Sequence, residues 1–367
     1  EFLKKMTKKI LITGGAGYIG SLLAFRLIKE GYAITILDSL FYDNGYVLNI
    51  LDEMIAKNLT VYQALVNNKY KENLPRKFEH FRFIKGDTRD KKLLEEVISK
   101  GNFDFIFHFA ELVGFYRCEK DRELTREINF NGTKNLIDLA IKNKIKLIYN
   151  STSSVYGSRE NADEILDENS EIIRDDLDTY CINKLLVEDY ILEKNKKEKD
   201  FKFVILRPAT VGGLSPRMRL ALLPNHFTYA AIVNKKLSLT KPDNYRAVID
   251  IDDLMMSYLA IIKSPNWKNG IYNIGNNNMS KREYVAEILK LNGQLKLGII
   301  DNVGKERNLR ISQEKFSRTF GFYPSKSFKN SIAPLVNLLK EKPNIFSKNN
   351  FKGVLNEDLS EWKLLLS

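Results

Sequence analysis

Three observations assign this 367-residue chain to the α/β class, as a doubly wound parallel sheet carrying a smaller mixed α/β domain. Apolar strand-like runs alternate with helical patterns through the first half. A glycine turn follows the first strand at once, and an acid closes the second. The composition agrees: 44% hydrophobic and 28% charged residues are near the globular average. No apolar run approaches the roughly 20 residues needed to span a bilayer, so no membrane partner is expected.

The first strand, Ile10 to Thr13, runs into Gly14-Gly15-Ala16-Gly17-Tyr18-Ile19-Gly20. Gly14 lets the chain reverse, Gly17 lets backbone N–H groups approach a pyrophosphate, and Gly20 lets the following helix pack on the strand. Tyr18 and Ile19 open that helix, whose N-terminus faces the anion. The second strand, Ala33 to Leu37, ends in Asp38, about 20 residues past the turn, where a carboxylate can take both ribose hydroxyls of NAD. Asp38 would repel a 2′-phosphate, so NAD is expected over NADP, on a Rossmann-type sheet.

Further strands are expected at Phe81 to Lys85, Phe103 to Phe109, Lys146 to Asn150 and Phe201 to Leu206. Helices are expected at Ser21 to Glu30, Asp90 to Ser99, Glu123 to Asn143 and Thr179 to Lys196, from apolar residues at three- and four-residue spacing. The stretch Phe41 to Lys77, helical at Val47 to Lys57, reads as an insertion at the adenosine edge or an oligomer contact. After Leu206 the alternation loosens into a helix at Leu220 to Val233, a strand at Arg246 to Ile251, a helix at Asp252 to Lys263, a strand at Ile271 to Ile274 and a helix at Lys281 to Leu291. The division expected is a cofactor domain over 7–206 with about 230–262, a substrate domain over about 207–229 and 263–340, and an extension over 341–367 with one late helix.

Charge and cysteines bound the partners. The net charge of +12 comes from lysines scattered among acids with no single stripe, so a nucleic-acid partner is not expected and an anionic small molecule is. Cys118 and Cys181 make neither a disulfide framework nor a CxxC motif, and the N-terminal residues lack an apolar signal core, which fits a reducing cytoplasm. His80, His108 and His226 are too scattered for a metal site.

Tyr180 and Lys184 stand at i and i+4 on a helix, so both point to one face. A nearby ammonium is expected to lower the phenol pKa, letting Tyr180 act as a base toward an alcohol, with the positive nicotinamide adding to the effect. The strand Lys146 to Asn150 leads into Ser151-Thr152-Ser153-Ser154-Val155-Tyr156-Gly157, where a hydroxyl can hold the reacting oxygen for Tyr180.

Together these residues resemble the extended short-chain dehydrogenase/reductase family, in its nucleotide-sugar epimerase and dehydratase branch, from about Lys8 to Tyr323. The glycine loop matches the branch's cofactor loop, and Tyr180/Lys184 match its catalytic pair. Gly86-Asp87 looks like the pair whose acid meets the adenine, with Thr88 beside it, and His108-Phe109-Ala110 resembles the stretch under the cofactor. Asn129 with Asn131-Gly132-Thr133 resembles the helix that follows. The resemblance puts the catalytic hydroxyl on Thr152. It also implies nucleotide and phosphate contacts at Asn225, Arg246 and Arg307, with Arg217 and Arg219 of Ser215-Pro216-Arg217-Met218-Arg219 facing the diphosphate, and a homodimer through the helices Glu123 to Asn143 and Thr179 to Lys196.

The pattern departs in three places. Ser153-Ser154 replace the Asp-Glu that 4,6-dehydratases usually carry after the catalytic Thr, and hydroxyls cannot do that acid-base work. Dehydration and the related decarboxylation are therefore disfavoured. What remains is 4-epimerisation through a 4-keto intermediate, or a 4-oxidase that releases it. A nucleic-acid-binding member without catalysis is a different class, opposed by the intact Thr152/Tyr180/Lys184 set. Glu111 stands where Ala or Gly is usual, and Asp250 where His is usual. Glu111 is expected near the cofactor or turned away, and neither acid is expected to touch the Tyr180/Lys184 pair.

Overall fold

Strands covered by helices on both faces read as unbroken apolar runs, and Ile10-Leu11-Ile12 is such a run. The computed structural model of the protein describes residues 7–67, 77–161, 163–292, 295–300 and 306–346. In it β1 (Lys9–Thr13) leads into α1 (Tyr18–Lys29), and β2 (Ala33–Asp38) pairs beside β1 with Ile10 opposite Ile34. α2 (Tyr46–Ala56) and α3 (Val61–Asn67) occupy the connection to β3 (Arg82–Lys85). α4 (Lys91–Gly101) leads to β4 (Phe105–His108). From there α5 (Phe115–Lys120), α6 (Arg122–Arg126), a π-helical turn (Glu127–Gly132) and α7 (Thr133–Lys142) lead to β5 (Lys146–Asn150). A 3-10 turn (Ser153–Tyr156), β6 (Ile165–Leu166) and α8 (Thr179–Lys197) precede β7 (Phe203–Pro208).

The later elements are shorter. They are β8 (Thr210–Gly212), α9 (Leu223–Tyr229), β9 (Lys236–Thr240), β10 (Tyr245–Asp250), α10 (Ile251–Lys263), β11 (Gly270–Ile274) and β12 (Asn277–Ser280). α11 (Lys281–Asn292), β13 (Lys296–Ile300), β14 (Arg310–Ile311), α12 (Glu314–Phe320) and α13 (Phe328–Glu341) complete the order.

A seven-stranded parallel sheet, in the order β11-β7-β5-β4-β1-β2-β3, forms the centre. Alternation along β1 divides the core: Ile10 and Ile12 pack with α1, α2 and α10, while Leu11 packs with α4, α7 and α8 on the other face. The strand order reverses between β1 and β4, which opens a crevice at their carboxyl ends. Smaller sheets of β12-β10-β8, β13-β9 and β14-β6 stand over that edge.

Several expectations need correction. β11 falls within the 263–340 share expected for the substrate domain but lies at the edge of the large sheet beside β7, where its apolar run finds an open parallel edge. β10, expected in the cofactor domain's 230–262 share, instead pairs with β8 and β12. The helix expected over 123–143 is broken into α6, the π turn and α7, and the one over 220–233 begins at Leu223, where Pro224 suits a first turn. The insertion packs α2 on α1, and α3 meets α13, where Lys342 Nζ donates to Val66 O at 2.8 Å and Tyr62 to Glu341. Residues 347–367, most of the extension, lie outside the described residues; Ile345 and Phe346 close onto the core.

Candidate active site

The glycine loop is built for close approach. Gly14 has φ +73, and a Cβ there would lie 2.6 Å from the Phe109 carbonyl carbon; a Cβ on Gly20 would lie 2.4 Å from Gly14 O. α1 begins at Gly17 with no side chain capping its first N–H groups, so that positive end is left for an anion. At the end of β2, Asp38 Oδ2 accepts from Ala16 N at 3.0 Å and Oδ1 from Leu40 N at 2.8 Å, which fixes the carboxylate with lone pairs to spare. Burial pushes its pKa up, against these hydrogen bonds and the charge of Arg217. Asp87 is held by Arg89 at 2.8 Å, and these bonds outweigh burial to lower its pKa. Uncapped helix, glycine cradle and ribose acid fit NAD.

His108 lies sealed between β1 and α7. Thr133 Oγ1 donates to Asn129 O at 2.8 Å, so it accepts from His108 Nε2 at 2.7 Å, and Thr13 Oγ1 donates to Nδ1 at 2.6 Å. Burial lowers the imidazole pKa to about 3, with the Lys184 charge adding, so the ring is neutral and structural.

The catalytic candidates converge at the end of β5. Thr152 accepts from Ser154 N at 3.2 Å, capping the 3-10 turn and leaving its O–H free to donate. α8 starts at the N-cap Asp178, whose Oδ1 accepts from Cys181 N at 2.8 Å, and its first two turns present Tyr180 and Lys184. Lys184 Nζ donates to Asn150 O and stands 4.8 Å from the centre of the Tyr149 ring.

The structure overturns the expectation for Glu111: its carboxylate is buried and ion-paired with Lys184, and it accepts from Tyr149 Oη at 3.0 Å. The lowered phenol pKa is overturned with it in the protein alone. Burial pushes Tyr180 well above its ordinary value and the Glu111 carboxylate pushes it further, with Arg219 opposing. Asp250 keeps clear, capping α10 at Asp252 N (2.9 Å) and meeting Lys326 at 3.1 Å.

One cavity of about 450 Å³ joins these groups. Gly14, Gly17, Tyr18, Ile19, Gly20, Asp38, Asp87, Thr88, Phe109 and Ala110 line it, together with Thr152, Tyr180 and Lys184 and with Arg217, Arg219, Arg246 and Arg307. Asn225 does not. It is buried behind the wall, where its amide donates to Tyr18 Oη at 3.1 Å and Arg219 O at 3.0 Å and accepts from Gly213 N at 3.0 Å. Its donors and acceptor are spent on tying the segment after β8 to Tyr18 of α1.

At the far end of the cavity, Arg246, Lys281 and Arg307 face the two acids Glu306 and Asp178. Burial lowers the Arg246 pKa to about 10, with Arg307 adding, so the cluster carries an excess of positive charge that a diphosphate would relieve. Sequence reading missed Lys281, Glu306 and Asp178. Asp178 before Thr179-Tyr180 is a legible N-cap; the Lys281–Glu306 pair joins distant segments and leaves no local signal.

A sequence model of the NAD dependent epimerase/dehydratase family matches residues 10–275. The chain is 29% identical over 309 residues to the probable UDP-arabinose 4-epimerase 3 of Oryza sativa subsp. japonica, covering 77% of this chain and 70% of that one. Its fold resembles that of the UDP-glucose-4-epimerase from Stenotrophomonas maltophila solved with NAD and formylated UDP-arabinopyranose, with a TM-score of 0.77, 17% identity, and coverage of 92% and 99%. The UDP-glucose 4-epimerase from Bifidobacterium longum, solved with NAD+ and UDP, gives 0.75 at 21% identity over 92% and 100%. With its glycine cradle, ribose acid and Tyr/Lys pair on one parallel sheet, the chain belongs to the NAD dependent epimerase/dehydratase family.

Proposed function

We propose that the protein is an NAD-dependent nucleotide-sugar 4-epimerase. The observation that carries this is the convergence of Thr152, Tyr180 and Lys184 in the cavity that the glycine loop and Asp38 open onto, with no acid directly after Thr152. The names of the relatives, UDP-arabinose 4-epimerases, support it.

Held by Gly14, Gly17, Gly20 and Asp38, NAD would supply a hydride acceptor for sugar C4 and, once reduced, a hydride donor for the 4-keto intermediate. Tyr180 takes the O4 proton and gives it back, so the residue ends each cycle as it began. Thr152 donates to O4 and fixes it near the phenol. Lys184 has three N–H donors; Asn150 O and Glu111 take two, leaving one for the cofactor ribose. Arg246, Arg307, Arg217 and Arg219 hold the diphosphate while the sugar turns. The setting proposed is a reducing cytoplasm, supported by two free buried thiols, and among the described residues no helix is long and apolar enough to cross a membrane. A homodimer through α7 and α8 is supported by Ile182, 44% exposed on α8, and sedimentation tests it.

A panel of UDP-, GDP-, CDP- and dTDP-sugars tests the activity. Interconversion of C4 epimers without net NADH is expected. A 4-keto sugar accumulating with NADH in the protein would make it a 4-oxidase instead.

A further inference from the structure

Glu111 is a buried carboxylate to which the mechanism above gives no role beyond accepting from Lys184. It leaves β4 three residues past His108, in a loop pinned by Asn129, whose amide donates to Leu112 O at 2.8 Å and accepts from Leu112 N at 2.7 Å. The Glu111 side chain is 2% exposed and that of Lys184 is 3% exposed. Burial pushes the Glu111 pKa up, and the Lys184 charge with hydrogen bonds from Lys184 and Tyr149 Oη opposes it, so the pair supplies the counter-charge and donors that replace the carboxylate's hydration. The ammonium that a Tyr/Lys pair would turn entirely toward the phenol is here shared with an acid.

We propose that Glu111 is a positioning residue of the reaction, fixing Lys184 in place and offsetting its charge so that Tyr180 keeps its proton to a higher pH than a Tyr/Lys pair alone would allow. This rests on Tyr180 being the base of the proposed epimerisation. The return step then finds its acid already loaded: the Tyr180 O–H bond breaks, its electron pair stays on the phenolate oxygen, and the proton closes the O–H bond at O4. The forward step restores the phenol, so protons balance over the cycle.

The other groups facing the pair do not mimic this. Tyr180 is also faced by Cys118 on α5, Cys181 beside it on α8, Arg219 after β8, and Arg307. Both thiols are buried, which pushes their pKa values up, Cys118 to about 12, so they stay neutral over the working range. Against burial, Cys181, Asp178 and Tyr180 raise the Arg307 pKa, so it stays a cation throughout that range. Glu111 itself is faced by Lys184, Tyr149 and the Cys118 thiol; burial raises Tyr149, and His108, which faces Lys184, is neutral. Removing the Glu111 charge is therefore the one change that returns the full ammonium to Tyr180.

The test is the phenolate absorbance of Tyr180 near 295 nm in the NAD-loaded protein, taken as the difference from Tyr180→Phe across pH, for wild type, Glu111→Gln and Glu111→Asp. The expected result is that Glu111→Gln moves the Tyr180 signal, and the rising limb of kcat/KM, to lower pH by about one unit, while Glu111→Asp stays near wild type. Glu111→Ala serves as a second neutral variant if the amide does not fold. A signal that stays put or moves to higher pH in a folded neutral variant overturns the proposal. Because the absorbance needs no turnover, a protein inactive on every sugar but shifted in this way would sink the epimerase assignment and leave the Glu111 effect standing.

Discussion

Tyr180→Phe removes one oxygen from a half-buried ring that packs against Leu112, Cys118 and Ile128, so the packing survives and the proton transfer does not. Turnover should fall by at least ~100-fold with little loss of NAD binding, as for removal of a general base; steady-state kinetics beside cofactor titration measures both. A second prediction at this scale concerns the two buried neutral histidines, His108 and His226, with pKa values lowered by burial to about 3 and about 4. The unfolded chain binds a proton at each below about pH 6.5 and the folded chain does not, so stability is unaffected above that pH and is lost as pH falls below it. Between pH 7 and pH 5 His108 accounts for about 2 kcal/mol of that loss. Denaturant unfolding should show His108→Gln losing less stability over that interval than wild type; equal slopes would contradict the burial account.

The catalytic helix α8 depends on one cap. Asp178 holds Cys181 N with one oxygen and Arg307 with the other, so it ties the first turn, which carries Tyr180, to the cationic end of the cavity. Asp178→Ala should cost about 1 kcal/mol and raise KM for the nucleotide sugar. Asp178→Asn should recover the stability but not the KM, and thermal unfolding with kinetics separates the two. Elements of this kind are legible in the sequence where periodicity is long: β1 to β5 and β7 with α1, α2, α4, α7 and α8, the glycine loop, Asp38 and the Tyr/Lys pair, whereas α3 and α5, seven and six residues long, are not. β6, β8 and β14 are two or three residues long and have no periodicity to read. α13 buries Ile332, Leu335, Val336 and Leu339 on one face, but Pro334 inside it masks the pattern. Glu111 stood out by residue type, while its ion pair needed β4 and α8 side by side, and Asn225 looked like a contact because nothing local shows that its amide is spent on Tyr18.

At the scale of the whole molecule, residues at the carboxyl ends of the large sheet and residues of β8, β9 and β10 line one cavity, so both ligands should act as staples between the sheets. NAD at 100 times its Kd should raise stability by about 2.7 kcal/mol, and Asp38→Ala should shrink the thermal shift by weakening NAD. UDP should stabilise the NAD-loaded protein further, less so in high salt, because its diphosphate meets a cluster with more cations than acids. The central claim is that this site oxidises and re-reduces one sugar carbon. The measurement that reaches it most directly follows a UDP-sugar deuterated at C4 by NMR. The account predicts that the C4 epimer forms with its deuterium retained and that Tyr180→Phe slows this conversion by at least ~100-fold. Deuterium lost to solvent, or a 4-keto product left with reduced cofactor, would contradict it.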